Sequence, residues 1–192
     1  MDPVTGPLDP VSLFKRNCPV IAEIGFGNGE ALVAMAADNP QCDFLGFEVY
    51  RPGVGGLFLK LKKQGLTNVR VIMDDAAVYF EDRIKEESLA KVLLFFPDPW
   101  PKKKHHKRRL LQPGFAKAVV RCLEPGGQLH VATDWEDYAM HILDLLREEP
   151  GFRNLAPDGC FAERPLYRPL TKYEKRGTAR GHGVWDLIYE RL

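Results

Sequence analysis

Short apolar runs alternate with amphipathic stretches along most of this chain, and this alternation constrains its fold more than any other feature. Each run has the length of a buried β-strand, and the stretches between them have helical spacing. Strands are predicted at residues 20–24, 43–48, 68–73, 91–96 and 128–133, and helices around 30–38, 57–64, 115–123 and 138–146. Strands joined through helices form a parallel sheet covered on both faces, so the sequence predicts a doubly wound α/β fold.

The pattern changes after Gly151. Residues 152–155 are predicted to form a short strand, residues 157–169 a loop rich in proline, and residues 184–189 a closing strand. Ligands of doubly wound folds bind at the carboxyl ends of the strands. Most of the residue patterns that suggest chemistry fall at those ends.

Length and composition predict an ordinary globular protein. With 192 residues, 45% of them hydrophobic, we expect one domain over 1–192, with residues 1–17 as a short N-terminal arm. No apolar run approaches the roughly 20 residues that span a bilayer. The four cysteines are scattered without a C-x-x-C pair, which predicts reduced thiols, no metal site and a cytoplasmic location. The sequence leaves monomer and homodimer open.

Charge is unevenly distributed in a chain whose net charge is only +1. Residues 74–87 are mostly acidic, whereas residues 102–109 hold six of the 27 lysines and arginines and no acid. A second basic stretch, residues 172–180, has four cations against Glu174. Local patches of this kind can concentrate a polyanion on one face of a nearly neutral protein.

A glycine-rich turn follows the first predicted strand and opens a helix. Gly25, Gly27 and Gly29 let the backbone turn sharply and approach a ligand closely. Their G-x-G-x-G spacing differs from the G-x-G-x-x-G of dinucleotide sites, which argues weakly against a nicotinamide oxidoreductase. Glu23 precedes the turn, and its carboxylate suits a cationic ligand better than a pyrophosphate.

Two further acids follow the next strands. Glu48 ends the second strand, where an acid can accept hydrogen bonds from ribose hydroxyls. Asp75 follows the third strand and can accept a hydrogen bond from an adenine amino group. With Glu23, these acids predict S-adenosylmethionine as the cofactor. The alternatives are that Glu48 is a surface acid at a strand end and that Asp75 is a helix N-cap.

The stretch from Phe95 to Arg109 carries the strongest functional signal. A buried strand delivers Asp98 between prolines and next to Trp100, a combination that suits a flat, polar ring such as a nucleobase. The basic block that follows suits phosphates. Together they predict an enzyme that works on a base inside a nucleic acid.

This stretch also resembles a known family. The run FPDPWPK at residues 96–102, with HKRRL at 106–110, is similar to bacterial tRNA (guanine-N7-)-methyltransferases. Further matches are EIGFG at 23–27, ATD at 132–134 and TKYEKRG at 171–177. The resemblance covers nearly the whole chain from Val20 onward, and the segments around Asp98 and Thr171 are its specific parts.

The resemblance implies a class I methyltransferase with a mostly parallel seven-stranded sheet and an antiparallel last strand. Its substrate would be the variable-loop guanine of tRNA, at position 46. Asp98 would be catalytic, and the cofactor would be bound by Glu23, Gly25, Gly27, Glu48, Asp75 and Asp98. Substrate contacts would come from Lys102, Asp134, Thr171, Lys172, Tyr173 and Glu174. RNA contacts would come from Lys104, His105, His106, Lys107, Arg108 and Arg109.

The chemistry of such a reaction suits a carboxylate without a general base. Guanine N7 has a lone pair and no proton, so the enzyme must align the reactants and stabilise the positive charge that moves onto the purine. Asp98 fits this task and can also accept hydrogen bonds from the N1–H and N2–H₂ edge, a role that Asp134 or Glu174 can share.

Other interpretations remain open for single residues. Asp98 can be a turn residue before Pro99, Trp100 a core anchor, and Asp134 an N-cap of the helix that follows. Residues 102–109 can be a solvated loop. The paired histidines next to so many cations favour phosphate contacts over metal binding, which would require a further ligand cluster.

Two rival functions also remain. The Asp98 segment faintly resembles the D-P-P-[YFW] loop of enzymes that methylate amino groups of adenine or cytosine. A protein that binds RNA without catalysis is the other. The complete set of acids argues against the second rival, and 7-deazaguanine in place of guanine separates the first from N7 chemistry.

Overall fold

The computed structural model describes residues 7–170, 174 and 183–192. The elements in chain order are α1 (Pro10–Phe14), β1 (Val20–Ile24), α2 (Glu30–Asp38), β2 (Asp43–Phe47), α3 (Arg51–Gln64), β3 (Val69–Ile72), α4 (Ala76–Asp82), β4 (Leu89–Phe95), a 3₁₀ segment (Lys103–Arg108), α5 (Pro113–Cys122), β5 (Leu123–Thr133), α6 (Glu136–Arg147), β6 (Phe152–Asn154) and β7 (Trp185–Arg191). All seven predicted strands are present, although β5 begins at Leu123 rather than at residue 128.

The helices differ more from the prediction. Helix α3 begins at Arg51, because Pro52 fits in a first turn where its missing N–H is not needed. It ends at Gly65 as predicted, where a positive φ of 66° closes the last turn. The short helices α1 and α4 and the 3₁₀ segment were not predicted. The N-cap of α6 is Trp135, so the alternative of Asp134 as that cap is wrong.

The strands form one sheet in the order β3-β2-β1-β4-β5-β7-β6. Strands β1 to β5 pair in parallel, and β7 runs antiparallel to both β5 and β6. The predicted doubly wound sheet of seven strands with an antiparallel last strand is therefore confirmed. Its order reverses between β1 and β4, and the carboxyl ends of these two strands form the crevice where such folds bind ligands.

Two apolar layers cover the sheet because successive strand residues point to opposite faces. Val92 and Leu94 of β4 pack into the layer that includes α4, α5 and α6, whereas Leu93 and Phe95 pack into the layer with α2 and α3. In the arm before β1, Phe14 is buried in the first of these layers. None of the described helices combines the length and the apolar character that crossing a membrane requires.

Candidate active site

A cavity of about 490 Å³ opens where the sheet order reverses. It is bounded by the end of β1, the glycine turn, the start of α2, the loop after β4 and the residue after β5. Five of the expected site residues line it: Glu23, Gly25, Gly27, Asp98 and Asp134. Residues separated by more than a hundred positions in the sequence thus meet in one crevice.

The glycine turn presents backbone rather than side chains to this cavity. Gly25 and Gly27 have φ values of 72° and 57°. Residues other than glycine rarely adopt this region of φ. A Cβ atom on either glycine would meet nothing within 4 Å. The positive φ values, and the room left for a ligand, therefore account for glycine at both positions.

Glu48 holds this turn from the neighbouring strand. Its Oε2 accepts a hydrogen bond from the Gly27 N–H at 2.7 Å, and its Oε1 accepts from the N–H groups of Val49 and Tyr50 at 2.8 and 2.9 Å. The expected role of Glu48 in binding ribose therefore comes with a second role, in shaping the turn. Sequence reasoning missed the second role.

Glu23 is a buried acid that faces the cavity. Only 3% of its surface is exposed, and its Oε2 has no hydrogen-bond partner among the described residues. Burial, with a smaller effect from the charge of Glu48, raises the pKa of Glu23 from 4.5 to about 8. A buried carboxyl of this kind is strongly stabilised as a carboxylate only when a cation arrives.

Asp75 lies outside the lining of the cavity. It is exposed, and its Oδ1 accepts a hydrogen bond from the Ala77 N–H at 2.9 Å, which makes it the N-cap of α4. The capping alternative is therefore confirmed. Its expected contact with an adenine amino group stays a prediction, and no described residue bonds the other carboxylate oxygen.

The loop after β4 exposes Asp98 at the rim of the cavity. Two residues near it, Phe96 and Trp100, have positive φ values of 52° and 46°, so the backbone bends sharply on both sides of Asp98. The Phe96 N–H donates to the carbonyl of Ala132 at 2.7 Å, which ties the start of the loop to β5. No described residue forms a hydrogen bond or ion pair with the Asp98 carboxylate, which stays available for a ligand.

Five of the six expected RNA-contacting residues lie in the 3₁₀ segment (Lys103–Arg108) behind this loop, which we call the basic segment, and Arg109 follows it directly. Lys104, Lys107 and Arg108 are exposed, and the two histidines are partly exposed. Trp100 contacts His105 edge to face at 5.9 Å between ring centroids, and the Arg108 guanidinium lies 5.0 Å from its ring. Trp100 is half-buried against the basic segment, so the core-anchor interpretation is wrong.

Arg109 departs from the rest of this set because it is 2% exposed. Its guanidinium donates to the carbonyl of Pro99 at 2.9 Å and pairs with the Asp137 carboxylate. These bonds attach the basic segment to the Asp98 loop and to α6. Hydrogen bonding by Arg109 lowers the pKa of Asp137. A side chain with so little exposed surface has little area left for a phosphate, and the expected RNA contact of Arg109 stays a prediction.

The expected substrate contacts are only partly described. Lys102 is exposed at the start of the basic segment, and Asp134 is half-exposed at the end of β5. Thr171, Lys172 and Tyr173 lie outside the described residues. Glu174 is buried, and both of its carboxylate oxygens accept hydrogen bonds from Arg168, at 2.6 and 2.8 Å.

Comparison with known proteins identifies the family. A family profile with the description "Putative methyltransferase" matches residues 17–187. A tRNA (guanine-N(7)-)-methyltransferase of Alcanivorax borkumensis is 52% identical over 186 residues, 97% of this chain and 78% of that protein. One from Pseudomonas aeruginosa PAO1 is 54% identical over 181 residues, 94% of this chain and 74% of that protein.

The chain belongs to the tRNA (guanine-N7-)-methyltransferase family. The resemblance found in the sequence is thereby confirmed, and with it a methyltransferase that uses S-adenosylmethionine. Among solved structures, the 16S rRNA methyltransferase KamB superposes with a TM-score of 0.69 at 16% identity, covering 99% of this chain and 96% of that one. At this level of identity the likeness shows the fold alone.

The cavity fits the cofactor of this methyltransferase family. The unpaired oxygen of Glu23 supplies the negative charge that a sulfonium requires, and the open space at Gly25 and Gly27 admits a ligand close to the backbone. No group of three or more potential metal ligands occurs in the described part of the chain. A depression of about 640 Å³ lies between α5 and α6, and none of the expected site residues lines it.

Proposed function

We propose that this chain transfers the methyl group of S-adenosylmethionine to N7 of guanine 46 in the variable loop of tRNA. The observation that carries the proposal is the convergence of Glu23, Asp98 and Asp134 on one cavity whose rim continues into an exposed basic segment. The names of the relatives support the same base and the same atom. A tRNA substrate implies a cytoplasmic location, and we treat 1–192 as one domain.

The cofactor supplies an electrophilic methyl group when it is bound. Glu23 binds the cationic portion, and its carboxyl loses a proton as it does so. The backbone of the glycine turn, held in place by the bond from Gly27 to Glu48, fixes the orientation of the bound molecule. Asp75 contacts the adenine, and its second carboxylate oxygen can do this while the first still caps α4.

Asp98 stabilises the positive charge that develops on the purine. N7 needs no general base, so the contribution of the chain is alignment plus a fixed negative charge next to the reacting base. Asp98 suits this role because the loop holds it at the cavity rim and no described side chain neutralises it. Asp134 faces the same cavity and reads the N1–H and N2–H₂ edge.

The basic segment holds the folded RNA while the pocket captures one base. Contacts to phosphates orient the RNA and are independent of sequence, which suits a surface of lysines, histidines and one arginine. Lys102 lies between this segment and Asp98 in the sequence, where a phosphate next to the target base would pass. The guanine must leave its stacked position to reach the cavity, as in other enzymes that act on bases.

The test is transfer of labelled methyl from S-adenosylmethionine to an unmodified tRNA assembled from two ligated fragments. A matched tRNA from the same ligation carries 7-deazaguanine at position 46. We expect label in the first RNA and none in the second. A third RNA, with 7-deazaguanine at a different guanine of the variable region, controls for altered folding and is expected to accept label.

Label in both of the first two RNAs would move the chemistry to another atom or another base and overturn the proposal. Binding of tRNA without any label would favour an RNA-binding protein that does not catalyse. The Asp98→Asn variant, run on the first RNA, shows whether the transfer depends on this cavity.

A further inference from the structure

A buried cluster of polar side chains packs behind Phe95 and Phe96, two residues that line the cavity. We name it the Arg168 cluster; its members are His130, Tyr167, Arg168, Glu174 and Asp186. They come from β5, from the loop that precedes residue 170, from the second basic stretch and from β7. Four of the five are at most 4% exposed. The chemistry proposed above uses none of them, although the family resemblance implies a substrate contact for Glu174.

Arg168 is the centre of this cluster. Its two terminal nitrogens donate to both oxygens of Glu174 at 2.6 and 2.8 Å, and one of them also donates to Asp186 at 2.9 Å. Its Nε lies 2.7 Å from the other oxygen of Asp186. Burial alone would lower the pKa of Arg168, but the bond to Glu174 and the charge of Asp186 outweigh it and raise that pKa.

His130 extends the cluster towards the sheet as a neutral ring. Its Nε2 lies 2.7 Å from Asp186 and donates to it, whereas its Nδ1 accepts the hydroxyl proton of Tyr167 at 2.9 Å. Burial lowers the pKa of His130 despite the opposing effect of Asp186. Every polar atom of the ring therefore has a partner, which fixes its orientation.

The cluster supports two aromatic rings that line the cavity. The Phe95 ring packs edge-on against His130, with 5.0 Å between centroids, and the Arg168 guanidinium lies 5.7 Å from the centroid of Phe96. Both rings line the cavity, and Asp98 follows Phe96 by two residues. The backbone of Phe96 has a positive φ of 52°, a conformation that requires support from its surroundings.

An apolar core is often as stable as a buried ion cluster, so stability is a poor explanation for this arrangement. Its geometry is more informative. The fork of Arg168 has a fixed shape and binds two carboxylates that belong to different parts of the chain. A guanidinium held in this way is a rigid support for the ring that begins the Asp98 loop.

We propose that Arg168 and Glu174 are positioning residues of the methyl-transfer site. Together with Asp186 they hold Phe96, and through it the Asp98 loop, in the conformation that methyl transfer needs. Glu174 acts through Arg168 rather than on the guanine, since both of its oxygens are bonded and its side chain is 5% exposed. The catalytic part of this inference rests on the proposed function; the structural part does not.

The structural part is tested by ¹⁹F NMR of protein labelled with 5-fluorotryptophan. The chain has three tryptophans, and the Trp100 resonance, which reports on the Asp98 loop, is assigned with Trp100→Phe. We expect Arg168→Lys and Glu174→Gln each to shift or broaden this resonance in the free protein, without RNA or cofactor. Arg168→Lys preserves the charge and Glu174→Gln preserves the side-chain size, and the folded fraction is checked by thermal denaturation.

A matched control is available at the edge of the sheet. Arg153 pairs with Glu190 at 2.5 Å, and its side chain is 61% exposed, so Arg153→Lys is expected to leave the Trp100 resonance unchanged. The kinetic test measures kcat and KM for tRNA separately. We expect kcat to fall about tenfold or more in both cluster variants, with KM for tRNA and the Kd for S-adenosylhomocysteine within about threefold of wild type.

A contact between Glu174 and the guanine predicts a different result. Glu174→Gln would then raise KM for tRNA while the Trp100 resonance of the free protein stayed unchanged, and this outcome would overturn the proposal. If the wild-type protein transferred no methyl group to guanine, the proposed function would fail. The Trp100 resonance would still decide whether the cluster holds the loop.

Discussion

Glu48 accepts the amide proton of Gly27 at 2.7 Å and thereby joins the end of β2 to the turn that follows β1. The same carboxylate accepts the N–H groups of Val49 and Tyr50 through its other oxygen. A carboxylate can accept on both oxygens, whereas an amide offers one acceptor and one donor. The shape of the cofactor-binding turn therefore depends on the two acceptor oxygens of a residue that follows the neighbouring strand β2.

The first prediction concerns Glu48→Gln. The amide nitrogen would face a backbone N–H, so we expect the free energy of unfolding to fall by about 1–2 kcal/mol. The affinity for S-adenosylhomocysteine is expected to fall about tenfold, which equals about 1.4 kcal/mol. Urea denaturation and titration calorimetry measure the two quantities, with the exposed Glu163→Gln as control. A loss of affinity at unchanged stability would assign Glu48 to the ligand alone.

The second prediction concerns Glu23 and pH. Burial raises the pKa of Glu23 in the folded protein to about 8, so between about pH 4.5 and pH 8 the folded state holds a proton that the unfolded state has lost. Stability then falls as pH rises through this window, by up to about 1.4 kcal/mol per pH unit. Glu23→Gln removes this contribution, so the variant gains stability relative to wild type as pH rises.

Urea denaturation of both proteins at intervals from pH 5 to pH 8 checks this behaviour. The comparison cancels the titration of the other groups, because they are shared by the two proteins. Parallel stability curves would mean that Glu23 is already ionised in the free protein and that its charge is compensated.

The third prediction is that Asp98→Asn slows methyl transfer without weakening cofactor binding. The loss of one fixed charge or donor at a reacting centre costs about a hundredfold in kcat, or more, and we expect a reduction of this size. The affinity for S-adenosylhomocysteine is expected to stay within about twofold, since the ligand has no developing charge for Asp98 to stabilise. Single-turnover kinetics and calorimetry make the measurement, with Asp144→Asn on α6 as control. Equal turnover in variant and wild type would remove Asp98 from the mechanism.

The fourth prediction separates the basic residues by their burial. If each exposed cation of the 3₁₀ segment meets a phosphate, Lys104→Gln combined with Arg108→Gln should reduce the slope of log affinity against log salt by about 1.5. The matched control is the corresponding double substitution of Lys62 and Lys63. Both are exposed in the last turn of α3, at the amino ends of the strands. Filter binding of tRNA across about 50–200 mM salt measures the slopes.

Arg109 should behave differently from its neighbours. Its guanidinium is buried and bonded to Pro99 and Asp137, so Arg109→Met is expected to lower the melting temperature. We expect the salt slope of tRNA binding to change by less than in the Lys104 and Arg108 variant. An unchanged melting temperature together with a smaller slope would place Arg109 among the phosphate contacts.

The local sequence pattern predicted the strands well and the short helices poorly. Apolar runs identify strands because β1, β2 and β4 are buried on both faces. Helix α4 has seven residues, too few for helical periodicity to be visible, although the alternative of Asp75 as an N-cap indicates where it begins. The cavity residues were predictable because the carboxyl ends of the parallel strands all lie on the same side of the sheet.

Burial of individual charged residues was not predictable from the sequence. Arg109 and Arg108 are neighbours in the same basic run, but one is buried and the other exposed. The difference depends on Asp137, which lies on α6 and is distant in the sequence. The Arg168 cluster is a stronger case, since its bonds join β5 to β7 across 56 residues, and no local pattern connects them.

The Asp98 loop and the basic segment form one continuous stretch, and Arg109 bonds the end of that stretch back to Pro99 near its beginning. Substrate choice and chemistry therefore do not reside in separable modules. Transplanting the basic segment alone into a relative would break the bond to Pro99 unless the loop and Asp137 were moved with it. The smallest unit that could be exchanged to alter RNA preference is the stretch from Phe95 to Arg109 together with the start of α6.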